Sequence, residues 1–408
     1  MTGNLLLRHV DVVDPDTETV ATDHTVRIAD GRIAEITADA GGAVGDGELD
    51  GTGLHAVPGL IDCHVHVNAV TAELGRVADM SPAYVAAQAA RLLGDMLDRG
   101  FTTVRDVGGA DFGIAAAVEE GLFRGPRIVY GGKALSPTGG HGDVRPAGRD
   151  WYDGHHALPM LGRVCDGITE VRRAARDEIR RGASHIKIML SGGCASLTDR
   201  IDSLQFSDSE VTAIVAEAEA ANIYCAGHAY TTEAVNRALR LGVRTIEHGN
   251  LIDQTSVDLF RAHDAFYVPT LVTYAALHDD SRRLGFTDEQ YAKVQQVVEG
   301  GSRALALADA GGVQIAYGSD LLGAMQSRQS EEFALRARVQ SPGAVLRGAT
   351  TIAARLLRRT GELGVLAAGA RGDVVLTRGN PLADLDLLAK PEAGVAVVVR
   401  DGLIGARH

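Results

Sequence analysis

Two histidines that are two residues apart, His64 and His66, follow the apolar segment VPGLIDC. In a β-strand, side chains at this spacing lie on the same face, so both imidazoles can bind one metal ion while Cys63 and Val65 face the other way. A histidine pair alone is a weak motif, because two structural histidines would explain the same spacing.

Four other polar residues stand at or near the ends of apolar segments further along the chain. They are Lys187 in HIKIML, His228 in AGHAY, His248 in IEHGN and Asp320 in YGSD. Each has a structural explanation when it is taken alone: an ion pair, a hydrogen-bonded core histidine or a turn cap. Taken together with the first histidine pair, these residue types predict a buried metal centre of imidazole, amine and carboxylate groups.

The elements that must position these residues alternate between short apolar segments and amphipathic helical patterns. We interpret eight segments as strands: 57–65, 101–107, 127–132, 185–190, 223–229, 243–249, 266–271 and 313–320. Eight β-then-α units are the number in a (β/α)₈ TIM barrel, whose catalytic groups lie at the carboxyl ends of the strands. A doubly wound sheet also alternates, but no G-x-G-x-x-G motif follows the first strand. The sequence therefore predicts the α/β class and a (β/α)₈ barrel over residues 58–360.

Both ends of the chain instead show short strands joined by tight turns, at Asp30-Gly31 and at Asp401-Gly402. We expect residues 1–57 and 361–408 to form one small composite β-sandwich module. Two long connections, 137–166 and 272–290, follow the third and seventh predicted strands. In a barrel, such loops lie on the catalytic face.

Composition excludes several classes of partner. The chain has 40 Lys and Arg against 53 Asp and Glu, a net charge of −13, and only 4% aromatic residues. These values argue against nucleic-acid binding and against an anionic membrane surface. The N-terminus lacks the apolar stretch of a signal peptide, and the four cysteines have no disulfide or metal spacing. We therefore expect a cytoplasmic protein that acts on a small molecule.

The segments VPGLIDCHVH, IKIMLSGG, AGHAY, IEHGN and YGSD resemble the metal-dependent amidohydrolase superfamily over essentially the whole chain. Within it, the chain is most similar to the imidazolonepropionase-related group, which contains Xaa-Pro dipeptidases and N-acyl-amino-acid hydrolases. The resemblance implies two divalent ions, most simply Zn²⁺, and a Lys187 carboxylated by CO₂ whose carbamate bridges them. The implied metal ligands are His64, His66, Lys187, His228, His248 and Asp320. The first two histidines and Asp320 would hold one ion, and the other two histidines the second.

The same resemblance assigns further roles. Asp320 would accept a proton from the attacking water and return it to the leaving nitrogen. His141, in GGHGD, would polarise the substrate carbonyl, and Tyr230 would bind a substrate carboxylate. Arg145 could neutralise an anionic substrate but is more simply a surface residue, and for the pair at 155–156 we expect an exposed loop.

The sequence thus predicts a binuclear amidohydrolase that cleaves an amide or peptide bond of a small carboxylate-bearing substrate, such as an Xaa-Pro dipeptide or an N-acyl amino acid. Hydroxide attack at a carbonyl does not dictate the leaving group, so a lactone, ester, carbamate or urea substrate stays open. A mononuclear deaminase or imidazolone hydrolase is a third possibility, although such relatives do not use a bridging lysine. A catalytically dead scaffold should have lost ligands, whereas all six positions are filled here. Similar enzymes are often homo-oligomers, and we expect the same of this chain.

Overall fold

The computed structural model of the chain describes residues 2–42, 44–45, 47–146, 148–149, 158–194, 199–283 and 285–408, without the side chain of residue 289. The strands of the first part are β1 (Leu5–Asp14), β2 (Thr19–Ala29), β3 (Arg32–Ala38), β4 (Leu49–Asp50) and β5 (His55–Pro58). Those of the middle are β6 (Leu60–Val65), β7 (Phe101–Asp106), β8 (Arg127–Tyr130), β9 (Ala134–Ser136), β10 (Gly162–Val164), β11 (His185–Met189), β12 (Tyr224–Thr231), β13 (Thr245–Leu251), β14 (Phe266–Val268) and β15 (Gln314–Ile315). Near the C-terminus follow β16 (Val374–Thr377), β17 (Val395–Arg400) and β18 (Leu403–Arg407).

The α-helices are α1 (Pro82–Asp98), α2 (Phe112–Glu119), α3 (Gly167–Arg180), α4 (Asp208–Ala220), α5 (Thr232–Arg240), α6 (Gln254–Ala262), α7 (Leu271–Asp280), α8 (Asp288–Ala310), α9 (Glu331–Ala337), α10 (Pro342–Gly348), α11 (Thr351–Leu356), α12 (Asp386–Ala389) and α13 (Pro391–Gly394). Several begin at side-chain caps that hold the first turn in place. Ser207 and Glu210 form a capping box at the start of α4, and Thr287 and Gln290 form another at α8. Short 3₁₀ helices span Leu74–Asp79 and Gly323–Arg328.

Parallel strands fill the middle of the chain. One sheet has seven strands in the order β10-β9-β11-β12-β13-β14-β15, and a second has three in the order β6-β7-β8. Every residue of β6, β7 and β11 is buried, as expected where helices cover both faces of a parallel sheet. Each of the eight segments that we interpreted as strands contains one, and the α/β class is confirmed.

Strands from both termini share one mixed sheet of eight strands, in the order β18-β17-β16-β5-β1-β2-β3, with β4 paired to β1. The two predicted hairpin turns are present, with φ of 50° and 75° at Asp30-Gly31 and of 49° and 74° at Asp401-Gly402. Positive φ at both central residues is the geometry that joins antiparallel strands with the correct twist. The sandwich arrangement and the domain boundaries at 57 and 361 stay predictions.

The two long connections hold more regular structure than we expected. Residues 272–290 were predicted as a loop, and this is wrong: α7 runs through residue 280, and Val272, Tyr274 and Leu277 are buried on it. The helix gives little periodic signal because its buried residues are nearly consecutive, from Leu271 to Tyr274 and then Ala276 and Leu277, and do not form a stripe on one face. In the connection 137–166, Gly162–Val164 pairs in parallel with β9.

The four cysteines are buried and free of disulfides, as their spacing indicated. Among the helices of the described residues, none combines the length and apolar character needed to cross a bilayer.

Candidate metal centre

The site begins where β6 ends, with His64, His66 and Asp320. Asp320 Oδ1 lies 3.2 Å from Nε2 of His64 and 3.2 Å from Nε2 of His66. One ligand atom from each of the three residues can be chosen so that all lie within 4.8 Å of one another. Asp320 has a left-handed backbone (φ 53°), and its N–H donates to the carbonyl of His64 at 2.8 Å. This bond holds the segment after β15 against the end of β6, so that the carboxylate faces both imidazoles.

Both histidines are oriented through Nδ1. In His64 this atom lies 2.8 Å from Glu247 Oε2, and in His66 it lies 2.8 Å from the carbonyl oxygen of Gly108. An ionised carboxylate and a carbonyl only accept hydrogen bonds, so Nδ1 carries the proton in each ring. The lone pair of each Nε2 is therefore available to a metal ion.

Glu247 is a functional residue that the sequence analysis missed. It is fully buried and pairs with the fully buried Arg105, whose Nη2 donates to the two carboxylate oxygens at 2.8 and 3.0 Å. Burial alone would raise the pKa of Glu247, but Arg105 and His64 hold it well below its usual range. Strand alternation would place Glu247 opposite its neighbour His248. The φ of 76° at His248 breaks that alternation, and both residues turn toward the site.

Lys187, on β11, is 1% exposed, and its Nζ has no hydrogen-bond partner among the described residues. Burial lowers the pKa of this amine to about 8. A larger fraction of the amine is therefore neutral near pH 7, and the neutral amine is the form that reacts with CO₂. An unpartnered buried amine is costly. If CO₂ converted this amine to a carbamate that two cations share, the group would gain polar partners. Lys187 therefore fits the bridging role.

His228 and His248 complete the predicted set. Their ring centroids lie 4.6 Å apart, and that of His248 lies 5.0 Å from that of His64. Nδ1 of His248 lies 2.8 Å from Thr270 Oγ1, a contact that fixes its ring. Burial lowers the pKa of both imidazoles well below its usual value. They are therefore neutral, which is the form that binds metals.

All six predicted ligands line one cavity of about 70 Å³, namely His64, His66, Lys187, His228, His248 and Asp320. Imidazole nitrogens and a carboxylate suit zinc, and the orphaned amine supplies the position where a bridging group would form. The residues present thus fit a centre of two divalent ions.

His141 lies in the wall of the same cavity. Its ring stacks on that of His228, with centroids 4.3 Å apart and planes 19° apart. Nδ1 lies 3.8 Å from Asp199 Oδ2, and the backbone N–H donates to Gln205 Oε1 at 3.0 Å. A Cβ on Gly193 would come within 2.0 Å of the His141 ring, so only glycine leaves room for it. Asp199 and Gln205 stand in no motif that the sequence analysis examined.

Tyr230 also lines the cavity, and it is 3% exposed. The hydroxyl of Tyr274 donates to the hydroxyl of Tyr230 at 2.9 Å, and the Tyr230 ring stacks on His248 with centroids 5.3 Å apart. We did not predict Tyr274 as a site residue, because it lies on α7, in the segment that we expected to be a loop.

Of the remaining predicted contacts, Arg145 lies beside the cavity and is held by Asp143. Its Nε and Nη2 donate to the two carboxylate oxygens at 2.6 Å each. The pair His155-His156 lies outside the described residues.

Comparison with known proteins identifies the family of the chain. Residues 55–404 match the model of the amidohydrolase family. The chain is 32% identical to ochratoxinase of Aspergillus niger over 358 residues, 83% of this chain and 73% of that protein. A prolidase solved in complex with N-methylphosphonate-L-proline is 45% identical, with a TM-score of 0.95 over 99% of this chain and 100% of its own. An Xaa-Pro dipeptidase with bound methionine is 28% identical, with a TM-score of 0.87 over all of both chains. The chain belongs to the amidohydrolase family, and it is a hydrolase that acts on C–N bonds.

Proposed function

We propose that this protein is a binuclear metal amidohydrolase that cleaves the amide bond of a small substrate with a free carboxylate, such as an Xaa-Pro dipeptide or an N-acyl amino acid. The observation that carries the proposal is the unpartnered Nζ of Lys187, buried in a cavity with five imidazoles and the carboxylate of Asp320. A mononuclear site has no use for a lysine at this place.

In the proposed centre, His64, His66 and Asp320 would hold one ion, His228 and His248 would hold the other, and a carbamate on Lys187 would serve both. Two divalent ions held there would lower the pKa of a water molecule and polarise a carbonyl.

Asp320 is placed to move the proton. Its Oδ1 faces Nε2 of both His64 and His66, whereas its Oδ2 stands 3.9 Å from Nδ1 of His248, beyond hydrogen-bond distance. Burial alone would raise the pKa of Asp320, but the neighbouring histidines lower it well below its usual range. The carboxylate therefore starts ionised, accepts a proton on Oδ2 and passes it to the leaving nitrogen.

His141 and Tyr230 would orient the substrate. Nδ1 of His141 forms no hydrogen bond, because Asp199 Oδ2 is 3.8 Å away, so the single proton of the neutral ring can reside on Nε2. Nε2 would then donate to the carbonyl oxygen that gains charge during attack. Because Tyr274 donates to the Tyr230 oxygen, the Tyr230 proton is available to a substrate carboxylate.

We also infer that the two parallel sheets close into one (β/α)₈ barrel. Cys63 N–H donates to the carbonyl of Tyr317 at 2.8 Å, and Ser184 N–H donates to that of Tyr130 at 2.9 Å. The first bond links β6 to the segment after β15, and the second links β8 to the residue before β11, so each joins the two sheets and supports the closure. The cytoplasmic location and the homo-oligomeric state stay predictions.

The test is turnover on a panel of Xaa-Pro dipeptides and N-acyl amino acids beside their amidated counterparts, which lack the carboxylate. We expect the free acids to be hydrolysed and their carboxamides to be poor substrates. Tyr230→Phe should raise KM for the acids about 10-fold or more, with a smaller effect on kcat. The proposal would be overturned if the enzyme hydrolysed only lactones, esters, carbamates or ureas, or only deaminated heterocyclic amines such as aminopurines.

A further inference from the structure

A second and larger concavity opens beside the catalytic cavity. It has a volume of about 520 Å³, within the range of pockets that hold drug-sized ligands. Five residues line both spaces: Leu74, His141, Val144, Leu277 and Leu322. The cleft therefore adjoins the catalytic cavity along these five side chains, and the two spaces can hold two parts of one substrate.

We propose that this cleft is the subsite for the acyl side of the substrate, and that it takes a large uncharged apolar group, either aromatic or long-chain. The inference rests on the proposed amide hydrolysis and adds the substrate class to it.

The position of the polar groups decides which side of the amide enters the cleft. Tyr230 and Lys187 line the catalytic cavity but not the cleft, whereas His141 lines both. With the carboxylate of the leaving amino acid at Tyr230 and the scissile carbonyl at His141, the acyl group continues past His141 into the larger space. The amine side stays in the cavity of about 70 Å³ and must be compact.

The walls of the cleft indicate the chemistry of the group. Leu277 and Leu322 belong to a buried hydrophobic cluster, and Leu74 and Phe286 pack against it from the cleft side. Such walls favour apolar groups because water leaves both surfaces on binding.

The rim of the cleft adds no net charge. Its three arginines face three carboxylates, in the pairs Arg76–Glu73, Arg145–Asp143 and Arg149–Asp79. A charged acyl group would have to compete with these pairs, and a neutral one would not.

The experiment is a series of N-acyl-L-prolines with acetyl, hexanoyl, benzoyl and 2-naphthoyl groups. Since the leaving amino acid is constant, kcat/KM reports the acyl subsite alone. We expect kcat/KM to rise at least about 10-fold from acetyl to 2-naphthoyl. Phe286→Ala should raise KM for the 2-naphthoyl substrate about 10-fold, with a much smaller effect on the acetyl substrate. The matched control is Phe112→Ala, at a side chain that is 57% exposed and outside the cleft, and it should change neither.

Failure of the subsite and failure of the proposed function are distinguishable. Acetyl-proline hydrolysis with flat or falling kcat/KM along the series, or an equal loss on all substrates in Phe286→Ala, overturns the subsite alone. No turnover of any member, together with no turnover of the Xaa-Pro dipeptides and other N-acyl amino acids of the panel, overturns the proposed function. The subsite is then tested separately by calorimetric binding of the same compounds to the Asp320→Asn variant. If the assignment holds, the Kd of the 2-naphthoyl compound is at least about 10-fold lower than that of the acetyl compound.

Discussion

The substitution Glu247→Gln tests whether the buried pair beneath the site orients the metal ligands. Glutamine keeps the shape of the side chain but removes its charge, which leaves Arg105 as a fully buried cation. Its amide also changes the hydrogen bond to His64, because its NH₂ group can donate where the carboxylate only accepted. A donor at Nδ1 of His64 shifts the ring proton to Nε2, where it competes with a metal ion.

Two magnitudes follow from this geometry. Removing one partner of a buried ion pair lowers the free energy of unfolding by about 3–5 kcal/mol. The lower end applies here, because the glutamine oxygen can still accept from Arg105 and Thr245 also accepts from Nη1 at 3.1 Å. With an unfolding entropy of about 2.1 cal/mol/K for each of the 408 residues, a loss of about 3 kcal/mol lowers Tm by roughly 3–4 °C. Loss of such an orienting carboxylate weakens metal binding about 10–100-fold.

The assay combines thermal unfolding with zinc titration against a chelator of known affinity. The control is Glu331→Gln, which removes a half-exposed carboxylate paired with Arg328 and should change Tm by no more than about 1 °C. A Glu247→Gln protein with wild-type Tm and wild-type zinc affinity would refute the orienting role. A lower Tm with unchanged zinc affinity would mean that the Arg105–Glu247 pair stabilises the fold but does not orient the metal ligands.

Three further predictions concern the site and its support. Asp320→Asn should lower kcat by roughly 10²–10⁴-fold while circular dichroism shows an intact fold, and near-wild-type turnover would remove the proton-transfer assignment. Gly193→Ala should displace the His141 ring and lower kcat about 10-fold or more at unchanged metal content, whereas wild-type kinetics would mean that the ring position is unimportant. Burial raises the pKa of Glu332 to about 8 from an ordinary value of 4.5, so its contribution to stability is full below about pH 4.5 and is lost as the pH rises through 8. The Tm difference between Glu332→Gln and wild type should therefore grow from pH 5 to pH 8, and a difference independent of pH would contradict this titration.

The strands and the polar residues at their ends could be predicted, because strand periodicity and C-terminal strand ends are local features of the sequence. His64 and His66 are an example: their shared face follows from spacing alone. Glu247 could not be found in this way, since its orientation depends on the positive φ of the next residue. Asp199 meets His141 only through folding of two separate loops. Tyr274 was missed because the buried residues of its helix are nearly consecutive and show no helical periodicity.

Metal content per chain tests the central claim most directly. It should be measured by plasma mass spectrometry on protein purified with bicarbonate and zinc, beside a Lys187→Met variant that is matched in size but lacks the amine. The account predicts about two zinc ions per wild-type chain, together with amide cleavage, and a clear loss of metal in the variant. One ion or none in the wild type, equal content in the variant and a silent amide panel would contradict the bridged centre and favour a mononuclear deaminase or a scaffold.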